Sequence, residues 1–194
     1  MTELIFCSNN KHKLQEIRKM LPSGYILQSL SEAGIKSSVD ETGVTFYENA
    51  FLKADAVYLH TKKNCFADDS GLCVTALGDA PGVFSARYAG HEATDADNRN
   101  KLLADLEGIK QRNAYFIAVI CLIWEGKAYY FEGRIDGNIT NVEHGKSGFG
   151  YDPVFIPNGY EVTFAEMTED EKNKISHRQI AVGKMITFLR NLKV

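Results

Sequence analysis

From Ala114 to Trp124 the chain runs eleven residues without a charge, a glycine or a proline. That is well short of the ~20 apolar residues needed to span a bilayer. It is also apolar at both alternating positions, so it cannot be a strand with one wet face. It reads as a central strand covered on two sides. Glu125-Gly126 then turns the chain into Lys127 to Ile135, an expected antiparallel partner.

The segments around this strand supply the covering layers. Leu4 to Cys7 reads as a short buried strand, and Lys11 to Leu21 as a helix with Leu14, Ile17 and Leu21 on one face. Tyr25 to Gln28 is a second strand, followed by a charged loop ending in Asp40-Glu41-Thr42-Gly43. Thr45-x-x-Glu48 fits a capping box for a helix running to about His60, with Phe46, Ala50, Ala54 and Val57 inward. Cys65-Phe66-Ala67 reads as a strand ending at Asp68-Asp69-Ser70-Gly71, with another from Leu72 to Leu77 and a loop from Gly78 to Glu92. Thr94 or Asp95 caps a helix with Leu102, Leu103 and Leu106 inward, which Gly108 ends. Gly137 to Pro157 is loop-rich around a short strand near Val154-Phe155. Ser176 caps a last helix burying Ala181, Val182, Met185, Ile186, Leu189 and Leu192. The order β-α-β-α-β-β-α-β-β-α predicts an α/β fold with a mixed sheet, one domain over residues 1–194.

Charge limits the partners. With 22 Lys and Arg against 25 Asp and Glu, the formal net charge is −3. Such a chain has no overall field to attract a nucleic acid, and an anionic ligand must find a local cluster of cations. The N-terminus lacks the basic start and apolar stretch of a secretory signal. Cys7, Cys65, Cys73 and Cys121 stand singly in apolar segments, as reduced thiols do. The expectation is a soluble cytoplasmic protein that touches neither membrane nor nucleic acid.

Four polar clusters sit at segment junctions, where function concentrates. Ser8-Asn9-Asn10-Lys11-His12-Lys13 enters a helix, a place suited to phosphate, although a solvated polar turn would look the same. Asp68-Asp69 at the end of an apolar strand pulls like charges toward the core, so a cation or a raised pKa must neutralise one of them. A capping aspartate beside a solvated one is the bland reading. Glu41 has no capping role of the kind that accounts for Glu48, and with Asp69 it offers the hard oxygens that Mg²⁺ takes. Gly148-Phe149-Gly150-Tyr151-Asp152-Pro153 alternates glycine with aromatic residues, as a backbone approaching a flat ligand would, although a glycine loop with core aromatics would look the same. Lys172, His177 and Arg178 lie at or just before a helix start, where cations oppose the dipole; that placement suggests an anion between them, against the competing view of a solvated basic helix start.

Gly145-Lys146-Ser147 lacks the first glycine of a P-loop, which would fall at Thr140. The five histidines show no metal-ligand spacing. Carboxylates for a divalent cation, lysines for a polyphosphate and aromatics beside glycines for a base point to hydrolysis of a nucleoside triphosphate by a metal-positioned water.

Six stretches, in order and with compatible spacing, carry a resemblance. They are Ser8-Asn9-Asn10-x-x-Lys13-x-x-Glu16, Glu41-Thr42-Gly43-x-Thr45-Phe46-x-Glu48-Asn49-Ala50-x-x-Lys53-Ala54 and Ala67-Asp68-Asp69-Ser70-Gly71-Leu72. Then come Pro81-Gly82-x-x-Ser85-Ala86-Arg87-Tyr88, Gly148-Phe149-Gly150-Tyr151-Asp152-Pro153 and Lys172-x-x-x-Ser176-His177-Arg178. Together they resemble the inosine triphosphate pyrophosphatase family, hydrolases of non-standard purine nucleoside triphosphates, over essentially the whole chain. Asn9 stands where that family commonly has glycine, so any left-handed backbone there falls to asparagine, which tolerates it.

The resemblance implies a long central mixed β-sheet with helices on both faces, two lobes flanking a nucleotide cleft, and a homodimer. It implies cleavage of ITP, dITP and XTP to the monophosphate and pyrophosphate with Mg²⁺. By matching position, Asp69 resembles the proton acceptor and a metal ligand, and Glu41 a second ligand. Ser8, Asn9, Asn10, Lys11, His12, Lys13, Lys53 and Lys172 would grip the phosphates, with Ser70 close to substrate. Phe149, Gly150, Tyr151, Asp152, His177 and Arg178 would hold and read the base. Two other readings compete: an enzyme resembling the Maf-like septum-formation inhibitor family, acting on other modified or pyrimidine nucleotides, and a non-catalytic nucleotide sensor. The Gly148-to-Asp152 and Ser176-His177-Arg178 motifs argue against the first, and the pair Asp69 and Glu41 against the second.

Overall fold

The computed structural model describes residues 1–36 and 41–192, and leaves aside the side chains of Lys11, His12 and Glu16. Asp40, expected at the end of the charged loop, lies outside the described residues. In chain order the elements are β1 (Thr2–Phe6), α1 (Lys11–Met20), β2 (Tyr25–Gln28), α2 (Phe46–Thr61), β3 (Cys65–Val74) and β4 (Ala80–Pro81). They continue with α3 (Asp95–Asp105), β5 (Asn113–Trp124), β6 (Lys127–Ile139), β7 (Phe155–Pro157), α4 (Glu169–Ile175) and α5 (His177–Asn191). Among the described residues the strands form one seven-stranded sheet in the order β2-β1-β3-β5-β6-β7, with β4 paired to β3. It is mixed, as expected: β1 runs parallel to β2 and β3, while β4 is antiparallel to β3 and β7 to β6. Glu125 and Gly126, both at positive φ, make the two-residue turn between β5 and β6, which permits only an antiparallel return.

Two compact units divide the chain, and β3, β5 and β6 contribute residues to both. The first unit comprises Met1–Asp69, Ala118–Glu132 and Ile180–Val194; the second comprises Ser70–Ile117 and Gly133–Gln179. In the first, Leu4, Phe6 and Phe66 of β1 and β3 pack with Leu14 and Ile17 of α1 and with Ala181, Val182, Met185, Ile186 and Leu189 of α5. These are the inward positions read from helical spacing. In the second, Leu102 of α3 and Leu106, which caps its C-terminus, pack with Phe116, Phe155 and Phe164. Full burial of each such side chain contributes roughly 1.5–3 kcal/mol.

β3 departs from expectation. The sequence reading ends a strand at Ala67 and begins another at Leu72, but β3 runs unbroken through Asp68-Asp69-Ser70-Gly71 to Val74, and a 3-10 turn replaces the expected strand end at Thr75–Leu77. The backbone stays extended here within the sheet, and the aspartates are partnered by side chains from flanking helices rather than by their own turn. Successive residues of a strand face opposite ways. Asp68 therefore shares a face with Phe66 and meets α1, whereas Asp69 shares a face with Cys65, whose thiol donates to the Ala54 carbonyl of α2.

The loop from Gly78 to Glu92 also holds more order than expected, with β4 and a 3-10 helix over Gly82–Arg87. α4 was not foreseen. It has no apolar stripe to mark it, and only its capping box, Thr168 with Glu171, is written in the sequence.

Candidate active site

The first unit gathers acids and lysines around β3. Lys13, in the first turn of α1, places its Nζ 2.7 Å from Asp68 Oδ2. Lys53 of α2 sets its Nζ 2.8 Å from Glu41 Oε1 and 3.0 Å from Asp69 Oδ1. The expected clash of adjacent carboxylates is thus resolved by alternation: each acid turns to a different helix and meets its own lysine. Asp68 and Asp69 are both buried. Burial pushes the Asp69 carboxyl above its ordinary pKa and the Glu41 charge adds to this, against the opposing pull of Lys53 and Asn49. For Lys53, burial works to discharge the ammonium, but the charges of Asp69, Glu41 and Asp68 outweigh it and raise its pKa. Asp69 is thereby more basic than a free carboxylate, a shift in the direction that suits a proton acceptor.

Asn49, fully buried on α2, was not singled out as a site residue. Its Nδ2 donates to Asp69 Oδ2 at 3.3 Å, and its Oδ1 accepts the Gly43 N–H at 2.8 Å. A Cβ on Gly43 would stand 2.6 Å from Asn49 Oδ1, so glycine is required for this approach. The available signal was a polar residue beside Ala50 on a face shared with Ala54 and Val57. Glu48, by contrast, is occupied as the capping-box acid, accepting the Val44 and Thr45 N–H groups.

The loop before α1 is tied by its own side chains. Ser8 Oγ accepts the Asn10 N–H, Asn9 Oδ1 accepts the Ser31 N–H, and Asn10 caps α1 through the Lys13 N–H. The left-handed backbone allowed for Asn9 is not used: among the described residues the non-glycines at positive φ are Lys62, Asp79 and Glu125. The expected phosphate contacts of Lys11 and His12 fall on side chains outside the described residues.

The second unit holds a pocket of about 150 Å³ whose walls include Ser70, Phe116, Phe149, Asp152, His177 and Arg178. His177 stacks on Phe116 with ring centroids 4.8 Å apart and planes within 8°, an aromatic wall whose Phe116 half the apolar run gave no means to single out. Arg178 Nη2 lies 3.3 Å from Ser70 Oγ. Buried Asp152 receives Lys172 Nζ at 2.5 Å and the Phe149 N–H at 2.9 Å. Phe149 is 57% exposed, with Lys172 Nζ 4.7 Å and the Arg178 guanidinium 5.7 Å from its ring centre, within cation–π range. Gly148, at φ +82°, lies where any Cβ would collide with Asp152.

One expectation changes here. Lys172 is not at a helix start: it lies in the last turn of α4, where a cation complements the dipole, and its charge is met by Asp152. Tyr151 is both a wall of this pocket and a core side chain: its ring joins the core of the second unit and its hydroxyl donates to the Ser85 carbonyl, which leaves Phe149 as the exposed ring of this loop.

The model of the Ham1 family matches residues 4–188. This chain belongs to the Ham1 family. It is 47% identical to the dITP/XTP pyrophosphatase of Flavobacterium psychrophilum, over 97% of this chain and all of that one. It is 49% identical to the protein of the same name from Porphyromonas gingivalis, over 97% and 98% of the two chains. The Ham1 protein of Staphylococcus aureus superposes with a TM-score of 0.94 at 38% identity, covering 99% of this chain and all of the other. A Mycobacterium abscessus structure described as a nucleoside-triphosphatase / dITP/XTP pyrophosphatase superposes at 0.83 and 41% identity, covering 95% and 98%. The resemblance drawn from the six motifs thus holds at the level of the family. Among the described residues of this Ham1 chain, no helix is long and apolar enough to cross a membrane.

Proposed function

We propose that this chain hydrolyses non-standard purine nucleoside triphosphates, ITP, dITP and XTP, to the nucleoside monophosphate and pyrophosphate. The observation that carries the reading is Asp69, a buried carboxylate held by Lys53 and Asn49 and made more basic by its surroundings. The names of the relatives support the substrate class. Water attacks the α-phosphorus, Asp69 takes its proton, and the bond to the β-phosphate oxygen breaks to release pyrophosphate. Lys13, Lys53 and Lys172, with the Ser8-to-Lys13 loop, would hold phosphate oxygens.

The carboxylates fit Mg²⁺. Glu41 and Asp69 each turn one hard oxygen to the same ammonium of Lys53, so they already converge on a positive charge. Among the described residues no group of three or more His, Cys, Asp or Glu gathers into a metal cage. Mg²⁺ needs none, since it is commonly held by one or two carboxylates, waters and substrate phosphates. When bound, it would stabilise charge developing on the phosphate oxygens.

Phe149, His177 and Arg178 would hold and read the base in the second unit. Adenine would be rejected because its 6-amino group leaves donors at that edge unsatisfied, and guanine, which shares the 6-oxo group, because its 2-amino group would find neither room nor an acceptor. A cytoplasmic homodimer belongs to the same proposal. The four free, singly placed cysteines suit the reduced compartment, and sedimentation would test the dimer.

Release of pyrophosphate from ITP, dITP, XTP, ATP and GTP, with and without EDTA, tests the reading. One pyrophosphate per IMP, a preference for the first three and loss in EDTA are expected. Orthophosphate as the product would overturn it, as would preference for dTTP, UTP or 7-methyl-GTP, which would favour the Maf-like reading.

A further inference from the structure

Two residues of α3 that the proposed activity leaves without a role, Asp95 at the wall of the pocket and Arg99, grip the loop carrying Phe149. Asp95 Oδ2 accepts the Gly150 N–H at 2.7 Å, and Arg99 Nη1 donates to the Gly150 carbonyl at 2.9 Å. They stand four residues apart, one helical turn, and so share a face of the helix. Both groups of one residue are therefore met from one rigid element. Arg99 also holds Glu143 through Nε at 2.7 Å, which ties down the chain ahead of the loop.

The platform is fixed. Thr94 and Asp97 close a capping box at the start of α3, and Leu102 and Leu106 anchor it in the core of the second unit. Buried Asn98 accepts the Ala89 N–H and donates to the Ala86 carbonyl. The loop, by contrast, carries glycines at positive φ, 148 and 150, which leave its backbone free to take many paths. Phe149 has its own N–H held by Asp152, and the next N–H, that of Gly150, held by Asp95. With both flanking amides tied, the exposed ring keeps only its side-chain torsions.

We propose that Asp95 and Arg99 are positioning residues, a clamp on the Gly150 peptide that preorganises Phe149 for the purine base. The proposal rests on the base-reading role given above to Phe149. A preorganised loop lowers the ordering cost of binding, so the clamp acts on base affinity and on discrimination among bases rather than on the chemical step.

The test compares Asp95→Ala, Asp95→Asn and Arg99→Gln with the wild-type enzyme. Asp95→Ala and Arg99→Gln are expected to raise KM for ITP roughly threefold to tenfold with kcat little changed, and to narrow the preference for ITP over GTP. Inhibition by inorganic tripolyphosphate, which has no base, stays at its wild-type value, and Asp95→Asn, which keeps an acceptor oxygen, recovers most of the loss. Hydrogen exchange of the Phe149 and Gly150 amides quickens in Asp95→Ala. Unchanged exchange overturns the clamp. Faster exchange with unchanged KM, or a parallel loss of tripolyphosphate affinity, overturns its role in base recognition. A wild-type enzyme inactive on ITP would instead sink the proposed function, and exchange would then decide the clamp alone.

Discussion

The two units build their polar clusters by different means. Around β3 in the first, charge answers charge: Lys13 meets Asp68, and Lys53 divides itself between Glu41 and Asp69. In the second, backbone groups do most of the holding, with Asp152 on the Phe149 amide, Tyr151 on the Ser85 carbonyl and glycines where no Cβ fits. A lysine that shares its charge among carboxylates can turn toward an incoming phosphate without breaking the fold. A peptide held in place cannot re-form around a misshapen base. On the function proposed, the difference would suit one cluster to chemistry on charged groups and the other to selection by shape.

Breaking the first cluster at its centre has the largest expected effect. Asp69→Asn should lower kcat on ITP by roughly 10²–10⁴, the usual range for a lost general base, with the fold retained. Near-wild-type pyrophosphate release would remove Asp69 from that role. The second cluster answers in stability. Lys172→Met takes one partner from an ion pair whose acid, Asp152, is buried, and should destabilise by about 3 kcal/mol in urea unfolding. A change of under ~1 kcal/mol would mean that the pair behaves as a surface one.

Lys13→Ala should raise KM for ITP roughly tenfold while kcat moves little, the mark of lost uniform binding. Equal KM for both proteins would take Lys13 off the phosphate path. The smallest effect lies away from both clusters. Glu32 accepts the Ser29 N–H and the Arg18 guanidinium, and these hold its carboxyl at about 2. A depressed carboxylate stabilises fully above its unfolded value near 4.5, and loses that contribution as pH falls toward 2. Urea midpoints at pH 6 and pH 3 should therefore drop less in Glu32→Gln than in the wild type. Equal drops would show that the depressed carboxyl does not couple to folding.

What the sequence disclosed followed from periodicity and caps. The apolar run Ala114–Trp124 lies within β5, Thr45 and Glu48 close their capping box, and the inward face of α5 is the one its spacing marks. Junction reasoning failed at Asp68-Asp69, because polar residues that look like a turn sit inside a strand when flanking lysines neutralise them. Periodicity could not find α4, whose seven residues bury no apolar face. Asn49 and Phe116 escaped because their partners, Asp69 and His177, are distant in sequence. Lys53 was named as a phosphate ligand, but its place between Glu41 and Asp69 depends on the loop's path, which no local pattern encodes.

β3 imposes a parity rule on evolution and on engineering. Substitutions at Cys65, Phe66 and Ala67 are tolerable wherever volume is kept, but a change of length there is not. One inserted or deleted residue would exchange odd and even positions, sending the acid meant for α2 toward α1 and its neighbour the other way. Viable descendants of this chain should therefore vary in side chain along these three positions while their count stays constant.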